Sequence, residues 1–570
     1  MKTTMEIKQH LQKAEEIMSS VSVAGEIVEN LQSKNAEAVK VVQKNEMIKV
    51  PFVGDFSAGK SSLLNAFMGI DYLPTNLTPE TAVAYEVYYD ANEHLVIVHG
   101  DGKIENMESK EVKGLKLTPN DMVKVYINNP KIKELNERGI VLVDMPGIDS
   151  GIEAHNNAIL KYIQDGTVFI IVADAEQGTL RNSALSFIRE LKQYGLGASV
   201  LINKSDKKPS DDMQNNIYPH IKDQANRYIG DGTFVGITSA SSGEIQDVAE
   251  ALNRIDVEKT VKQRCMPVIN GYISECAAAI QNRISIINTD KDKYADEVKR
   301  LKAGRDEAIE KLKTQDENVQ SVEGSAQDIL DDVRKALNNS SLNLANLLFS
   351  NGNDMNQFNA ELVNIVRPVL INSFKREMTE YSNAIGEAVQ GFAVEVNSIL
   401  NDKNNKALDT AKELAGNIFG GLALENMIKA GIEKLMVRWA EKKGMVALLS
   451  VISKVVGPLV TILVNFIPDL LSIIFGKSKE EKIEEIRSKL TTMVFGKIVD
   501  NLRPEIENML KQQRNDAKNS AAELINEEIR NFDIAIAQAE MEQTKNAEER
   551  EKETQTLVVA MQKLQELYIA

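Results

Sequence analysis

The sequence predicts two kinds of structure in one chain: an α/β domain with a mainly parallel sheet, and extended all-α helical bundles. Between residues 46 and 245, short β-branched runs alternate with helical stretches, which is typical of a parallel sheet covered by helices. Beyond residue 245 the strand-like runs stop, and long charged stretches with single apolar stripes follow. Such stretches indicate extended helices that each bury one face in a bundle.

Eight runs carry the strand pattern of the α/β region. They are IKVPFV, AVAYEVYY, HLVIVHG, KVYIN, GIVLVD, VFIIVAD, ASVLIN and FVGITS. The segment between Tyr85 and Tyr126 is interpreted as a hairpin insertion, because Gly100-Asp101-Gly102 gives a turn signal between two strand-like runs.

The composition narrows the classes of partner. The 570 residues carry a formal net charge of -16, and an acidic chain repels phosphate backbones, so no nucleic-acid partner is expected. Charges interrupt the N-terminus every few residues, so no secretory signal peptide is recognised and a cytoplasmic location is predicted. Cys265 and Cys276 have neither metal spacing nor the number of a disulfide framework, and are interpreted as thiols in a reducing compartment.

A phosphate-binding loop is predicted at GDFSAGKS, residues 54–61, which fits G-x-x-x-x-G-K-[ST] between a strand and a helical pattern. Its glycines let backbone amides turn towards phosphates, and the helix N-terminus adds partial positive charge. Lys60 can reach the β- and γ-phosphates, and the Ser61 hydroxyl can bind Mg²⁺. The predicted nucleotide contacts of this loop are Gly54, Ser57, Ala58, Gly59, Lys60, Ser61 and Ser62.

Two further segments complete the predicted phosphate and metal site. Asp144 and Gly147 form a D-x-x-G at the end of GIVLVD, where the carboxylate can hold Mg²⁺ through water and the glycine amide can approach the γ-phosphate. The loop LPTNLTPETAV offers Thr75, Thr78 and Thr81 as a switch threonine, and Thr81, just before the next strand, is preferred. The predicted catalytic residues are Lys60, Thr81 and Gly147, and the predicted metal ligands are Ser61, Thr81 and Asp144.

The base of the nucleotide is predicted to be guanine. Asn203, Lys204 and Asp206 belong to an N-K-x-D pattern after ASVLIN, and the aspartate can accept hydrogen bonds from guanine N1–H and N2–H₂. Adenine would leave that carboxylate unpaired, which discriminates strongly between the bases. Ser239, in the loop after FVGIT, suits the last base-binding loop. The predicted cofactors are therefore GTP and Mg²⁺, and the α/β region is predicted to be a P-loop GTPase domain.

In chain order, GDFSAGKSSLLNAFMG, LPTNLTPETAV, VDMPGIDSG and NKSD resemble the dynamin superfamily, most of all its bacterial dynamin-like members. The resemblance implies a large GTPase that hydrolyses GTP and forms homodimers through its GTPase domains, or higher oligomers. It further implies coupling to membrane remodelling, with vesicle release or secretion as one process such a protein would support. By the same resemblance, Ser57 matches a serine that helps to hold a charge-compensating cation.

One residue departs from that family pattern. Many dynamins carry a water-orienting glutamine where this sequence has Phe56, two residues after the first P-loop glycine. A phenyl ring can neither donate nor accept the needed hydrogen bond. The departure leaves a GTP-gated scaffold with little intrinsic hydrolysis as the alternative function.

The predicted domains are an N-terminal neck helix (1–45), the GTPase domain (46–245), neck and trunk helices (246–420), a hydrophobic tip (421–478) and returning helices (479–570). Within the tip, residues 444–476 are almost uncharged and are broken by glycine and proline. The longest uncharged run is too short for a membrane span, so partial insertion into a lipid membrane and peripheral association are predicted. The alternative is that this segment forms the core of the helical trunk.

Overall fold

The computed structural model describes most of the predicted α/β and helical regions. The described residues are 2–75, 83–108, 115, 117–118, 121–148, 162, 168–193, 196–288, 291–318, 320–351, 355–400, 478–541 and 547–568. Thr78, Thr81 and the predicted membrane segment 444–476 lie outside this set.

Nine strands form one sheet within the described part of the chain. In chain order they are β1 (Ile48–Val53), β2 (Ala84–Tyr89), β3 (His94–Val98), β4 (Ile104–Met107), β5 (Met122–Ile127), β6 (Ile140–Asp144), β7 (Phe169–Asp174), β8 (Ala198–Asn203) and β9 (Val235–Ile237). Their spatial order is β4-β3-β5-β2-β6-β1-β7-β8-β9.

The sheet is mainly parallel, as the sequence predicts. Strands β6, β1, β7, β8 and β9 form a continuous parallel set. Strand β2 is antiparallel to β6 but parallel to β5, and β3 is antiparallel to both β5 and β4. The parallel set brings the carboxyl ends of β6, β1, β7 and β8 to one edge, where ligands bind in open α/β sheets.

The predicted hairpin insertion is confirmed as the β3–β4 pair. The Gly102 amide donates to the His99 carbonyl at 2.9 Å, and the His99 amide donates to the Lys103 carbonyl at 2.8 Å. Gly102 has a φ of +88°, a left-handed conformation that glycine adopts at little cost. Strand β4 itself was not predicted.

Fifteen helices of eight residues or more lie in the described residues. They are α1 (Lys2–Ser19), α2 (Gly25–Lys44), α3 (Lys60–Met68), α4 (Pro130–Glu137), α5 (Asn182–Gln193), α6 (Tyr218–Tyr228), α7 (Gln246–Asn253), α8 (Val257–Asn288), α9 (Lys291–Asn318), α10 (Val322–Asn339), α11 (Ser341–Asn351), α12 (Met355–Leu400), α13 (Lys479–Lys489), α14 (Phe495–Met541) and α15 (Ala547–Leu567). Helices α3 to α7 accompany the sheet, and α8 to α15 form the predicted helical regions. No helix in the described ranges is sufficiently long and apolar to cross a membrane.

Helices from the first and last parts of the described chain pack together. Leu11 of α1, Leu31 of α2, Ile273 of α8 and Leu564 of α15 belong to one buried cluster. A buried ion pair reinforces the contact of α8 with α15, since Arg283 Nη2 lies 2.6 Å from a carboxylate oxygen of Glu553. Residues of α9, α10, α12 and α14 belong to a second buried cluster, which also includes residues of the sheet. The domain boundaries given above stay predictions.

The fully buried carboxylate of Glu86 connects strands β1 and β2 of the sheet. Glu86 of β2 has no exposed surface. It accepts hydrogen bonds from the Tyr88 hydroxyl at 2.8 Å and the Tyr162 hydroxyl at 2.9 Å, and Lys49 Nζ of β1 lies 2.6 Å away. Burial by itself would raise the pKa of Glu86, but Lys49 and the two hydroxyls hold that pKa below its ordinary value.

Replacing Lys49 by methionine should destabilise the α/β region by about 3 to 5 kcal/mol, because an unpaired charge would remain buried. Chemical denaturation followed by tyrosine fluorescence measures the effect, because the sole tryptophan, Trp439, lies outside the α/β region. The double variant Lys49→Met, Glu86→Gln should lose less than the single variant, since it removes both charges. Lys103→Met, which removes the exposed pair with Asp101, is the control. A single variant as stable as wild type would contradict the expectation.

Candidate guanine-nucleotide site

The predicted phosphate loop lies between β1 and α3, at the carboxyl edge of the sheet. A side chain on Gly54 would place its Cβ 2.2 Å from the Val172 carbonyl oxygen of β7. Gly59 has a φ of +81°, and a Cβ there would lie 2.7 Å from Nδ2 of Asn203. Both positions therefore need glycine, because the loop backbone lies directly against its neighbours.

Lys60 is the first residue of α3 and is buried. Its ammonium donates to the carbonyl oxygens of Gly54 at 3.0 Å and Asp55 at 2.9 Å. These bonds hold the cation inside the loop. The amides at the start of α3 lie beside the same loop, so a cation and a helix N-terminus share one anion-binding position.

Ser61 and Asp144 form the candidate metal position. The Ser61 hydroxyl donates to Asp144 Oδ2 at 2.6 Å, while the buried Oδ1 of Asp144 has no hydrogen-bond partner. Burial raises the pKa of Asp144 to about 6, against smaller opposing effects of Ser61 and Lys60. An unpartnered carboxylate oxygen next to a hydroxyl matches the hard oxygen donors that Mg²⁺ prefers, so the two residues fit the predicted ion.

The D-x-x-G loop touches the phosphate loop through its glycine. A Cβ on Gly147 would lie 2.6 Å from the Cα of Phe56, and the Ile148 amide donates to the Gly54 carbonyl at 3.2 Å. Phe56 is 42% exposed. Phe56 and Thr75 lie at the wall of the cavity that Lys60 and Gly147 also line.

Asn203 joins the base-reading loop to the phosphate loop. Its Nδ2 donates to the Ala58 carbonyl at 2.9 Å, and its Oδ1 accepts from the Ala240 amide at 3.3 Å. The side chain is buried at the end of β8. Three predicted loops are therefore brought together by one amide group.

Asp206 lies beside the last base-binding loop. The Ser239 hydroxyl donates to Asp206 Oδ1 at 2.6 Å. Hydrogen bonds from Ser239 and then Ser241 hold the pKa of Asp206 below its ordinary value. The carboxylate is thus ionised at neutral pH and available to accept hydrogen bonds from a base.

Three contacts around the site were missed by sequence reasoning. Asp55 Oδ1 accepts from the Ser183 hydroxyl at 2.8 Å, and its Oδ2 lies 3.2 Å from Arg181 Nε. Ser205 donates to Glu244 Oε2 at 3.1 Å, which ties the base-reading loop to the last loop. Each contact joins residues far apart in sequence, so no local pattern signals it.

Asp144→Asn should raise the melting temperature of nucleotide-free protein at pH 7.5, and the gain should shrink towards pH 4. The pKa of Asp144 in the folded protein is raised to about 6. Its protonated carboxyl therefore stabilises the fold fully only at a pH below the pKa that Asp144 has in the unfolded chain. This stabilisation is lost as pH rises through 6, by about 3 kcal/mol in total. GDP with Mg²⁺ should stabilise wild type more than the variant.

Differential scanning fluorimetry across pH 4 to 8 makes this measurement, with the exposed Asp211→Asn as the matched control. A melting temperature of Asp144→Asn at or below that of wild type at pH 7.5 would contradict the expectation.

Comparison with known proteins agrees with this geometry. Residues 50–205 match the Dynamin family. A bacterial dynamin-like protein of Nostoc punctiforme is 26% identical over 218 residues, covering 35% of this chain and 31% of the relative. Mitofusin-2 of Rattus norvegicus is 30% identical over 154 residues, covering 26% of this chain and 20% of the relative. The chain thus spans less than a third of the length of either relative.

A solved bacterial dynamin pair aligns with 94% of this chain and 94% of its own at 15% identity. The TM-score of 0.31 is too low for an argument about the helical regions. From the sequence we also predict an overall layout like that of the bacterial dynamin LeoA, and this stays a prediction. The shared motifs lie in the α/β region, and over residues 50–205 this region is similar to the Dynamin family.

Proposed function

We propose that this chain binds GTP with Mg²⁺, hydrolyses the GTP, and couples its nucleotide cycle to membrane remodelling. The bond of Asn203 to the Ala58 carbonyl, at 2.9 Å, carries the proposal. It fixes the loop that selects a base next to the loop that binds phosphates. A single ligand holding both a guanine and a polyphosphate fits that arrangement.

Each phosphate-side residue has a role that its position supports. Lys60 would neutralise charge on the β- and γ-phosphates, and the Gly147 amide would donate to a γ-phosphate oxygen. Ser61 and Asp144 would hold Mg²⁺, with Thr81 as the predicted third ligand. When bound, Mg²⁺ supplies charge stabilisation at the phosphate oxygens. Ser57, Ser62 and Ser239 remain proposed nucleotide contacts.

The rate of GTP hydrolysis that we propose depends on Phe56. Its ring lies at the cavity wall and offers no hydrogen bond to an attacking water. We therefore propose slow turnover by dilute protein and faster turnover when two GTPase domains meet, because a second copy can supply the missing orienting group. The same residue favours the alternative of a GTP-gated scaffold, which assembles partners with little hydrolysis.

The proposed membrane contact is residues 444–476, which lie outside the described residues. Their sequence is nearly uncharged, and Trp439 precedes them beside basic residues, a flank that suits a lipid interface. The proposed location is cytoplasmic with peripheral membrane association. Vesicle release or secretion is the proposed process.

GTP turnover measured at rising protein concentration, with and without liposomes, tests the chemistry and its coupling together. Specific activity should rise with concentration and again with liposomes. Lys60→Ala should lower it about 100-fold or more, because the ammonium stabilises charge that develops on the phosphates. Lys103→Ala, at the exposed turn of the β3–β4 hairpin, should behave as wild type.

In the same experiment, flotation of the liposomes reports binding. Leu463→Asp, Phe466→Asp should reduce both flotation and the liposome-dependent rise. The control variant Leu342→Asp, Met493→Asp introduces the same charge at exposed apolar positions. It should reduce neither flotation nor the liposome-dependent rise in activity. Equal flotation of wild type and the Leu463→Asp, Phe466→Asp variant would defeat the membrane proposal. GTP binding without turnover at any concentration would favour the scaffold.

A further inference from the structure

We propose that Asp174 is a positioning residue for guanine selection: it anchors the Lys204 side chain across the phosphate loop and thereby fixes the direction of Asp206. The inference rests on the proposed GTP-binding function and assigns a role to a residue outside the recognised motifs. Among the described residues, the Asp174 side chain bonds to the Glu176 amide and to Lys204 and not to the phosphate loop or to Asp206, so its action would pass through Lys204.

The sheet register places the two residues together. Strands β7 and β8 are parallel neighbours, and Asp174 pairs with Asn203 in their register. Both residues end their strands at the carboxyl edge of the sheet. Lys204 follows Asn203 directly, so its side chain starts within reach of Asp174.

The Asp174 carboxylate is fixed by both of its oxygens. Oδ2 accepts from Lys204 Nζ at 2.6 Å, and Oδ1 accepts from the Glu176 amide at 2.9 Å. The side chain of Asp174 is only 6% exposed. An exposed ion pair contributes little, but here one partner is buried and its orientation is set by a second bond.

Lys204 is held in an uncommon conformation. With a φ of 63°, it is the one non-glycine residue of the described ranges with a positive φ. That conformation is costly for a residue with a long side chain. Its Cε lies 3.9 Å from the position that a Cβ on Gly59 would occupy. The aliphatic part of the side chain therefore runs beside the phosphate loop, and its ammonium ends at Asp174.

The left-handed turn at Lys204 sets the path of the chain to Asp206. The Lys207 amide donates to the Lys204 carbonyl at 3.0 Å, which closes the turn around Ser205 and Asp206. If Lys204 lost its anchor, the turn could relax and the Asp206 carboxylate would lose its alignment with guanine N1–H and N2–H₂. The loss should fall most on recognition of the 2-amino group.

Binding of GDP and of inosine diphosphate, which lacks that amino group, tests the inference in the full chain. By isothermal titration calorimetry, Asp174→Asn should weaken GDP binding roughly tenfold, the effect of losing one charge-assisted bond. Inosine diphosphate binding should weaken less, so the preference for GDP should fall roughly threefold. Asparagine keeps an oxygen for the Glu176 amide, so the local turn is preserved.

Glu176→Gln is the matched control, since its carboxylate is 52% exposed and 3.7 Å from Lys204 Nζ. It should keep the wild-type preference. Lys204→Met should reproduce the effect of Asp174→Asn, and combining the two should add little. If Asp174→Asn fails to fold, an unchanged preference in Lys204→Met still overturns the inference.

An unchanged preference in Asp174→Asn and Lys204→Met would overturn the inference. So would equal weakening of both nucleotides together with a lower melting temperature, the pattern of a purely structural role. A wild-type protein that binds no GDP would instead overturn the proposed function, and this inference with it.

Discussion

The hydrogen bond from Asn203 to the Ala58 carbonyl is the interaction on which the candidate site depends. Strand β7 separates the strands that carry the two loops, so the Asn203 amide must reach past β7 to the phosphate loop. That approach leaves no room for a side chain on Gly59, and the Val172 carbonyl leaves none on Gly54. The glycines of the motif are thus required by the protein's own backbone as well as by phosphates.

The charged groups of the site are better suited to binding a ligand than to stabilising the fold. Asp144 is buried with one oxygen unpartnered, and its pKa is raised to about 6. Lys60 is held by neutral carbonyls within the same loop. A buried carboxylate oxygen without a hydrogen-bond partner, such as Oδ1 of Asp144, destabilises the folded state, and binding of a complementary cation relieves that cost. Glu86 shows the contrast, since every charge in its network has a partner.

Much of the α/β region could be predicted because its signals are local. The β-branched runs predict β1, β8 and their neighbouring strands, and Gly102 belongs to the signal that predicts the hairpin turn. Strand β4 has mostly exposed residues and no apolar alternation, so nothing in its composition predicts a strand. It is formed by pairing with β3.

Some contacts depend on which strands are neighbours in the sheet and on their register, and these could not be predicted from local sequence. Asp55 meets Arg181, and Asp174 meets Lys204, only because separate strands end at one edge of the sheet. The helical regions show the same limit, since apolar stripes predict helices but do not say which helices pack together. The switch threonine Thr81 and the membrane segment 444–476 stay predictions.

Guanine selection by Asp206 is the central claim, and competitive binding of GDP, ADP and xanthosine diphosphate to wild type and Asp206→Asn tests it most directly. Xanthine carries a carbonyl where guanine carries its 2-amino group, so an amide at position 206 can donate to it. Wild type should prefer GDP over ADP by about 100-fold or more, and Asp206→Asn should lose GDP while gaining xanthosine diphosphate. Equal binding of GDP and ADP by wild type, or an unchanged preference in the variant, would contradict the account.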